Sequence, residues 1–576
     1  MIVLTVCCLL AGGVWAQENS QGREAIAGAD STAAPLTVGE ITLHTRDIFS
    51  PAEVQNTTPM LKLLRRVMNS VHMNTREYVL RREILFATGD RFRPGSLAET
   101  ERNLRNLGFL NNVSVVPTDT TDDGRVNVDV VTRESWTLQT TFSYSLASSG
   151  DQRWNVRLSD RNFLGHGMTL GAGIGADENS AFWNLWLRKR RLFGIGVLGL
   201  DYSKREDGHM RNIFFGKPFY AQGDRWGGDV KAWDKAFDAR FYLSNAGPAG
   251  EDPTREERLY AKLPYREKRF EIRAQMRAAG QYEGRVWRVG AGVRVEERDY
   301  AVDSQSAWLL SDDRVVSLDW MLEPGQPLAR VQGTTVFPHL WLSSQGRNWT
   351  KSRFVLQYGP VEDIPLDTVF EFRAGPNGTQ VGSSTLGGGY SVRVEVQATK
   401  WLTLGPGLMV LQGVAEGETG SSEARNHLYY VLAGWMGKAG KENSPWLTRL
   451  FAEVGHGSHL LGSRALLLGL DRGLRTLEYD GMAGDRLARW NIEQGKATPW
   501  ELLGLFRMGF AAFYNGGCAW WNDEQRDLGD ARHEIGFGLR FGPTRSANSQ
   551  VTRLDVTWDM EGSGGPVFTA VTRGFF

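Results

Sequence analysis

In several segments of the chain from Trp136 onward, apolar side chains recur at every second position, with charged or small polar side chains between them. In one such segment, Phe270, Ile272 and Met276 alternate with Glu271 and Arg273. Further segments with the same alternation are 136–146, 153–158, 287–295 and 390–398. Successive side chains of a β-strand point to opposite faces, so each segment predicts a strand of about ten residues with one apolar and one charged face.

The alternation alone leaves open which face meets the interior. In a soluble sandwich the apolar face packs in a core, whereas in a membrane barrel it meets lipid and the charged face lines a wet lumen. Aromatic residues near the strand ends favour the barrel, because such barrels carry aromatic girdles at both interfaces; they are Trp136, Trp154, Trp287 and Tyr390. The fold class predicted for residues 135–576 is therefore mainly β, a transmembrane antiparallel β-barrel of about 16 strands.

The N-terminus predicts export from the cytoplasm. Residues 1–16 are typical of a signal peptide, since the apolar run Ile2 to Leu10 is followed by Val14-Trp15-Ala16, a small-residue cleavage pattern. Residues 17–37 are rich in Ala, Gly, Ser and Thr and predict a flexible lead-in. Cleavage would leave Cys518 as the remaining cysteine, so we expect no internal disulfide.

Residues 38–134 combine helical and strand patterns and predict one small α+β domain. We expect a strand from Ile41 to Phe49, helices starting near Pro59 and Ser96, a helix from Arg76 to Phe86, and strands at 112–117 and 125–132. Ser96 and Glu99 have the spacing of a capping box. An edge strand of such a domain can accept an extended polypeptide, because its outer backbone groups have no partner within the sheet.

Two segments of the barrel region carry recognisable motifs. One is Asn162-Phe163-Leu164-Gly165-His166-Gly167, whose glycines suit a tight turn. The other spans 466–521 and contains Leu474-Arg475-Thr476-Leu477 and later Phe513-x-Asn515-x-Gly517. These motifs, in this order after the α+β domain, resemble the BamA/TamA-like outer-membrane assembly and translocation superfamily, in which a periplasmic POTRA domain precedes a surface-antigen-type barrel.

The resemblance implies a lock inside the lumen. A long outer loop would fold back into the barrel, and Arg475 would meet Asn515, which lies between Phe513 and Gly517. Thr476 stands where the family has glycine and Asn515 where it has an acid; Arg472 is an alternative anchor if the alignment shifts by three residues. Asn accepts a weaker bond from a guanidinium than a carboxylate does, so a neighbouring lumen carboxylate could compensate.

The resemblance also assigns three further groups of residues. Asn162, Phe163, Gly165 and Gly167 correspond to the family's turn near the start of the barrel. The terminal Phe576 is similar to the aromatic signal of outer-membrane proteins. The first and last strands, near 136–146 and 567–576, would form a seam that opens to template client strands.

The function implied is insertion of β-barrel proteins into the bacterial outer membrane, or polypeptide translocation across it, with the N-terminal domain in the periplasm. Expected partners are unfolded outer-membrane or secreted polypeptides, outer-membrane lipids, and periplasmic or lipoprotein accessory subunits. One alternative is a passive channel that selects anions through the lumen arginines Arg153, Arg157, Arg273 and Arg294. Another is a structural surface barrel.

No motif predicts an enzyme, a cofactor or a nucleotide site. The chain has 66 basic and 66 acidic residues and no basic run, and we expect no nucleic-acid partner. His456, His459 and Glu453 carry side chains of the types that bind metals. Positions three apart on a strand point to opposite faces, so no metal site is predicted there.

Overall fold

The structure is a computed structural model that describes residues 35–146, 152–177, 180–243, 259–278, 284–300, 307–309, 315–317, 333–380, 391–420, 424–460, 464–470, 472–477, 481–522, 526–547, 550–561 and 565–573. The chain forms two compact units. The first comprises Met1–Thr137 and Arg161–Gly167, and the second Leu138–Asp160 and Met168–Phe576. The predicted signal peptide (1–16), most of the lead-in (17–37) and Phe576 lie outside the described residues.

The first unit is a three-stranded sheet with helices packed on it. Its elements are β1 (Thr37–Arg46), α1 (Pro51–Gln55), α2 (Pro59–Val71), α3 (Glu77–Arg81), α4 (Pro94–Arg105), β2 (Leu110–Thr120) and β3 (Arg125–Glu134). The sheet order is β1-β3-β2, with β1 parallel and β2 antiparallel to β3. Val126, Val128 and Val130 are buried on the central strand, as the apolar alternation predicted, and Leu97 and Leu104 are buried on α4.

Helix ends were the part of this unit that the sequence pattern predicted poorly. Helix α3 is five residues long rather than running from Arg76 to Phe86. The capping box predicted at Ser96 is wrong, because α4 already begins at Pro94, with Arg93 at its N-cap position. The capping box of this unit is instead formed by Ser50 and Glu53 at the start of α1.

The second unit is a closed antiparallel barrel of 20 wall strands. In chain order the wall strands are β4 (Leu138–Leu146), β5 (Gln152–Asp160), β6 (Met168–Ala176), β7 (Ala181–Leu192), β8 (Gly196–Arg205), β9 (Gly208–Lys217), β10 (Trp226–Leu243), β11 (Leu259–Arg277), β12 (Arg285–Tyr300), β15 (Gly333–Gly346), β18 (Val369–Gln380), β19 (Ser391–Leu404), β20 (Gly407–Gly420), β21 (Ala424–Lys441), β22 (Ser444–Ser458), β25 (Arg486–Leu502), β26 (Phe506–Trp520), β27 (Arg532–Pro543), β28 (Val551–Asp559) and β29 (Val567–Arg573).

The strand number corrects the expected value of about 16. That expectation reserved residues for several long loops, whereas many connections are tight turns. Leu404 and Gly407, for example, end and begin consecutive wall strands, and so do Lys441 and Ser444. Short turns use few residues, so the barrel region accommodates four more strands than expected.

The barrel wall carries its apolar face outward. On β22, Trp446, Leu450 and Val454 are 52%, 41% and 57% exposed, while the intervening Arg449 and Glu453 are buried inside. The other outward strand positions repeat this pattern, so a band of large apolar side chains faces the surroundings. Such a surface is stable against lipid rather than water, which decides the question that the alternation left open.

Two insertions between wall strands fold back into the lumen. We call the barrel end at which β4 begins the near end, and the opposite end the far end. The short strands β16 (Trp349–Ser352) and β17 (Glu362–Pro365) form a hairpin at the near end, here called the inner hairpin. The short strands β23 (Leu466–Leu468) and β24 (Met482–Gly484) pair within the connection from β22 to β25 at the far end, here called the returning loop.

A small hairpin, β13 (Ala307–Leu309) and β14 (Val315–Ser317), lies in the connection between β12 and β15 and pairs with β11. Within the residues that the structure describes, no helix is long and apolar enough to cross a membrane.

Candidate functional site: a lumen anchor beside the barrel seam

The returning loop is held against the inner wall by apolar packing. Leu468, Leu474 and Met482 are buried among Cys518 and Ala519 of β26. Gly517 makes room for this contact, since a Cβ there would lie 3.0 Å from Leu468 Cδ2 and 2.9 Å from the backbone oxygen of Ala488. The glycine of the Phe513-x-Asn515-x-Gly517 motif is therefore required by the loop that lies on it.

Arg475 is the buried arginine of the returning loop. It is 8% exposed and pairs with Asp555 on β28, with 3.0 Å between Nη2 and Oδ2. Its guanidinium carbon lies 4.3 Å from the centre of the Phe513 ring on β26. Arg472, the alternative anchor, is exposed, and its backbone oxygen accepts a bond from Arg489.

The expected pair between Arg475 and Asn515 is not the one that the structure forms. Asn515 on β26 stands in register with Glu534 on β27 and donates to it from Nδ2 at 2.5 Å. Asn491, its registered neighbour on β25, donates to the Asn515 oxygen. Asn515 is occupied by its strand neighbours, and Arg475 pairs instead with Asp555, two strands beyond β26.

Glu534 connects the two positions at which this chain departs from the family motif. The backbone N–H and hydroxyl of Thr476 both donate to Glu534, at 2.9 and 3.0 Å, and Asn515 donates to its other oxygen. Glu534 has no exposed surface. A carboxylate moved to β27 thus takes the place of the acid missing from position 515.

The anchor continues into a buried network of charges. Arg540 on β27 pairs with Asp555 and with Glu493 on β25, the latter at 2.7 Å. Arg449 on β22 pairs with Glu493 at 3.1 Å. Because the network alternates cation and anion, each buried charge has an opposite partner, as a low-dielectric interior demands.

Four charged residues of this site were not predicted from the sequence: Asp555, Glu534, Glu493 and Arg540. Each occupies an inward position of its strand's apolar alternation, which is the signal by which a search for charged lumen residues could have found them. Their mutual contacts depend on strand register, which the alternation does not contain.

The Asn162–Gly167 turn is built into the first unit. Asn162 is 1% exposed; it donates to the Thr75 hydroxyl at 2.8 Å and accepts the N–H of Gly167 at 2.7 Å. Gly165 and Gly167 have φ of 72° and 61°, in the left-handed region that favours glycine. Phe163 is half-buried at the start of the turn.

The seam between the last and first wall strands is short. Among the described residues, β29 registers with β4 at Thr569–Ser145 and Ala570–Tyr144. By contrast, β4 pairs with β5 along its whole length, from Leu138 to Leu146. An apolar groove of about 620 Å³ lies beside the seam, and its lining includes Tyr144, Phe537, Leu554 and Phe568.

The histidines considered as metal ligands do not converge. Glu453 faces inward and pairs with Arg489, whereas His456 is exposed on the opposite face of β22. The part of the chain that the structure describes contains no group of three His, Cys, Asp or Glu residues that could hold a metal ion.

Comparisons with known proteins identify the N-terminal module. The POTRA family model, described as "Surface antigen variable number repeat", matches residues 69–135. No curated protein matches the sequence. All but the last of the matched residues lie within the predicted 38–134 domain, whose outer boundaries remain predictions.

Solved structures similar to this chain include BamA from Haemophilus ducreyi lacking POTRA domains 1-3, with 12% identity, coverage of 93% of this chain and 84% of that one, and a TM-score of 0.37. CdiB from Acinetobacter baumannii has 11% identity, coverage of 99% and 96%, and a TM-score of 0.40. CdiB from Escherichia coli has 12% identity, coverage of 97% and 93%, and a TM-score of 0.40.

The POTRA match and the closed barrel support the resemblance to the BamA/TamA-like superfamily. A barrel with an apolar outer face and a preceding POTRA domain lies in the bacterial outer membrane, with that domain in the periplasm. Since β4 begins at Leu138, directly after the domain, the near end is the periplasmic end and the far end is the outer end.

Proposed function

We propose that this POTRA-containing outer-membrane barrel inserts polypeptides into the outer membrane or moves them across it, and that client strands are templated at the seam between β29 and β4. The observation that carries the proposal is that, among the described residues, only Thr569–Ser145 and Ala570–Tyr144 register across that seam. Backbone groups of β4 and β29 beyond the paired residues can accept another strand, which is the physical basis of β-augmentation.

The anchor would steady the wall next to the seam. Arg475 and Thr476 bind Asp555 on β28 and Glu534 on β27, the two strands that precede β29. Fixing these strands lets the seam open without loosening the rest of the C-terminal wall. In this proposal Arg475 has a positioning role, and the seam edges contact the client.

Client capture would begin at an edge of the POTRA sheet. The order β1-β3-β2 leaves β2 as an edge strand, and Val116 on it is 42% exposed. A photocrosslinking amino acid at Val116 should react with an unfolded outer-membrane polypeptide. The same probe at Ala98, exposed on helix α4, is the control; equal reaction at both sites would argue against capture at the strand edge.

The seam is tested by closing it covalently. Tyr144 and Ala570 are registered across the seam, so cysteines at both positions are close enough for a disulfide. In a variant lacking the native cysteines and reconstituted in liposomes, oxidation should abolish accelerated folding of a urea-unfolded client barrel, and a reductant should restore it. Folding is followed by heat-modifiable gel mobility.

The matched control is a cysteine pair at Thr140 and Leu158, which are registered between β4 and β5. This pair joins strands that are already bonded, so oxidation should leave client folding unchanged. Undiminished client folding with the seam disulfide formed would overturn the role of the seam.

The alternative of a passive anion-selective channel has less support from the lumen arginines. Arg273 pairs with Asp229 at 2.8 Å, and Arg294 pairs with Glu271 at 3.1 Å and with Glu395. Acids offset these cations, so the wall around them presents little net positive charge to an anion. A steady anion-selective conductance without any client folding would favour the channel.

A further inference from the structure

The inner hairpin enters the lumen from the periplasmic end, opposite to the returning loop. It connects β15, the tenth wall strand, to β18, the eleventh, and residues 353–361 form its tip. Its anchoring residues differ from those of the returning loop. It is therefore a second inserted element with its own site on the wall.

Tyr358 at the tip is fully buried in a cradle of glycines. Gly495, Gly509 and Gly542, from β25, β26 and β27, lie beneath it. A Cβ at Gly542 would lie 1.9 Å from Tyr358 Cβ, and one at Gly509 would lie 2.7 Å from ring atom Cε1. Both distances are shorter than real Cβ contacts, so the cradle requires these positions to lack side chains.

Apolar packing carries the tip almost to the opposite side of the wall. Phe354 is buried in a cluster with Leu447 of β22, Ala497 of β25 and Val551 of β28, and Val355 packs in a neighbouring cluster. Strand β28 is the nineteenth of the 20 wall strands. A hairpin that starts between the tenth and eleventh strands and reaches the nineteenth crosses most of the lumen.

Several backbone groups of the tip have hydrogen-bond partners inside the lumen. The Glu362 carboxylate accepts the backbone N–H groups of Leu356 and Gln357, each at 2.8 Å. Arg449 of β22 donates to the Val355 oxygen at 3.5 Å. Buried backbone groups without such partners would oppose docking, so these bonds make the inserted position stable.

Ion pairs occupy part of the lumen nearer its outer end. Arg294 on β12 pairs with Glu395 on β19 at 2.6 Å, although two other wall strands lie between them. The inner hairpin and these bridges therefore both occupy the space that a polypeptide moving through the lumen would need.

We propose that the inner hairpin closes the periplasmic entrance of the lumen to polypeptides. The closure rests on the function proposed above, and it specifies the substrate class of that function. The substrates would be chains that leave at the seam and become membrane β-strands, rather than unfolded chains that pass through the lumen. A client arriving from the periplasm meets the hairpin before it meets the returning loop. The route left to it is the lateral one.

The test compares ion conductance and client folding in the same liposome-reconstituted proteins. One variant is Tyr358→Ala, and a second replaces residues 349–365 by a short Gly-Ser turn. The control is Lys351→Ala, an exposed residue on the same hairpin. The replacement should raise single-channel conductance severalfold and release an entrapped unfolded peptide, Tyr358→Ala should open intermittently, and Lys351→Ala should match the wild type.

Heat-modifiable gel mobility shows whether each variant retains a folded barrel. If Tyr358→Ala does not fold, the variant with residues 349–365 replaced still tests the proposal. Unchanged conductance and peptide retention in a folded hairpin replacement would overturn the closure. Client folding reports separately on the proposed function: if the wild type accelerates no client, that function fails, whereas the conductance result still decides whether the hairpin closes the lumen.

Discussion

At the scale of single residues, the lumen anchor works through shared carboxylates. Asp555 forms ion pairs with both Arg475 and Arg540, and Glu493 forms ion pairs with Arg540 and Arg449. Glu534 accepts hydrogen bonds from Thr476 and Asn515. The two positions at which the chain departs from the family motif therefore share one carboxylate. Removing one residue therefore has a cost that depends on how many partners it leaves without an opposite charge.

Arg540→Ala should destabilise the barrel more than Arg475→Ala. Without Arg540, two buried carboxylates each lose a cation, which costs about 3–5 kcal/mol for a buried pair broken on one side. Without Arg475, Asp555 keeps Arg540, so the cost should be nearer that of one buried oxygen left without its ion-pair partner, about 1–3 kcal/mol. Urea unfolding in lipid vesicles, followed by tryptophan fluorescence, measures both.

Arg472→Ala is the control for this pair, because the Arg472 side chain is exposed and its change should stay within about 0.5 kcal/mol. Equal losses for Arg475→Ala and Arg540→Ala would contradict the sharing of Asp555.

Docking of the inner hairpin should depend on pH through Glu362. Burial raises the pKa of this carboxyl from 4.5 to about 7, against the lowering effects of the Leu356 and Gln357 N–H groups and of Arg449. The docked state thus binds a proton more tightly than the released state. Docking should be favoured as pH falls from about 8 towards 5, and lumen conductance should rise as pH increases through 7.

Glu362→Gln should remove that dependence, since the amide does not ionise; its single oxygen keeps one of the two backbone bonds, and its NH2 group cannot accept the other. A conductance that changes equally with pH in the wild type and in Glu362→Gln would show that another group controls it. Single-channel recordings at several pH values give the comparison.

At the scale of elements, the Asn162–Gly167 turn depends on close approach as well as on backbone conformation. Gly165 has φ of 72°, and a Cβ there would lie 2.4 Å from the Asn74 oxygen. Gly89 has φ of 90° but no atom within 4 Å of such a Cβ. Comparing substitutions at the two glycines therefore distinguishes the effect of backbone strain from that of steric overlap.

Gly165→Ala should destabilise the first unit more than Gly89→Ala does. The latter should cost about 1–2 kcal/mol, the strain of a left-handed conformation. Gly165→Ala adds displacement of the backbone at Asn74, and limited proteolysis of the full-length protein should cut its first unit faster. Equal cleavage rates would mean that the turn can shift without cost.

The barrel and the α+β domain could be predicted because their signals are local. The alternation of Phe270, Ile272 and Met276 with charged residues needs only neighbouring positions, and the exposed outer face confirms it. The strand number could not be predicted, because it depends on loop lengths that alternation does not contain. The Arg475–Asp555 pair required a register between distant strands.

The inner hairpin was not predicted for the same reason. Tyr358 is one tyrosine in an irregular segment, and the glycines that receive it lie on three strands more than a hundred residues later. Glycines on barrel strands are common, so only the folded register shows that these three meet one ring.

At the scale of the whole molecule, the C-terminal wall is held from both ends and the seam is not. The inner hairpin packs on β25 to β28 from the periplasmic end, and the returning loop binds β26 to β28 from the outer end. Among the residues that the structure describes, β4 pairs along its whole length only with β5. Opening should therefore separate β4 from β29 while β25 to β28 remain fixed.

Hydrogen exchange in lipid nanodiscs should reveal this asymmetry. In an antiparallel strand, alternate N–H groups point to the two neighbours, so roughly half of the amides from Leu138 to Phe142 should exchange rapidly. Amides of β26, bonded on both sides, should exchange slowly. The disulfide between cysteines introduced at positions 144 and 570 should slow amide exchange at the seam. An unfolded client should also slow it, if the client adds a strand there. Equal protection of β4 and β26 in the client-free protein would mean that the seam is closed along its length, and the lateral route would then need another opening.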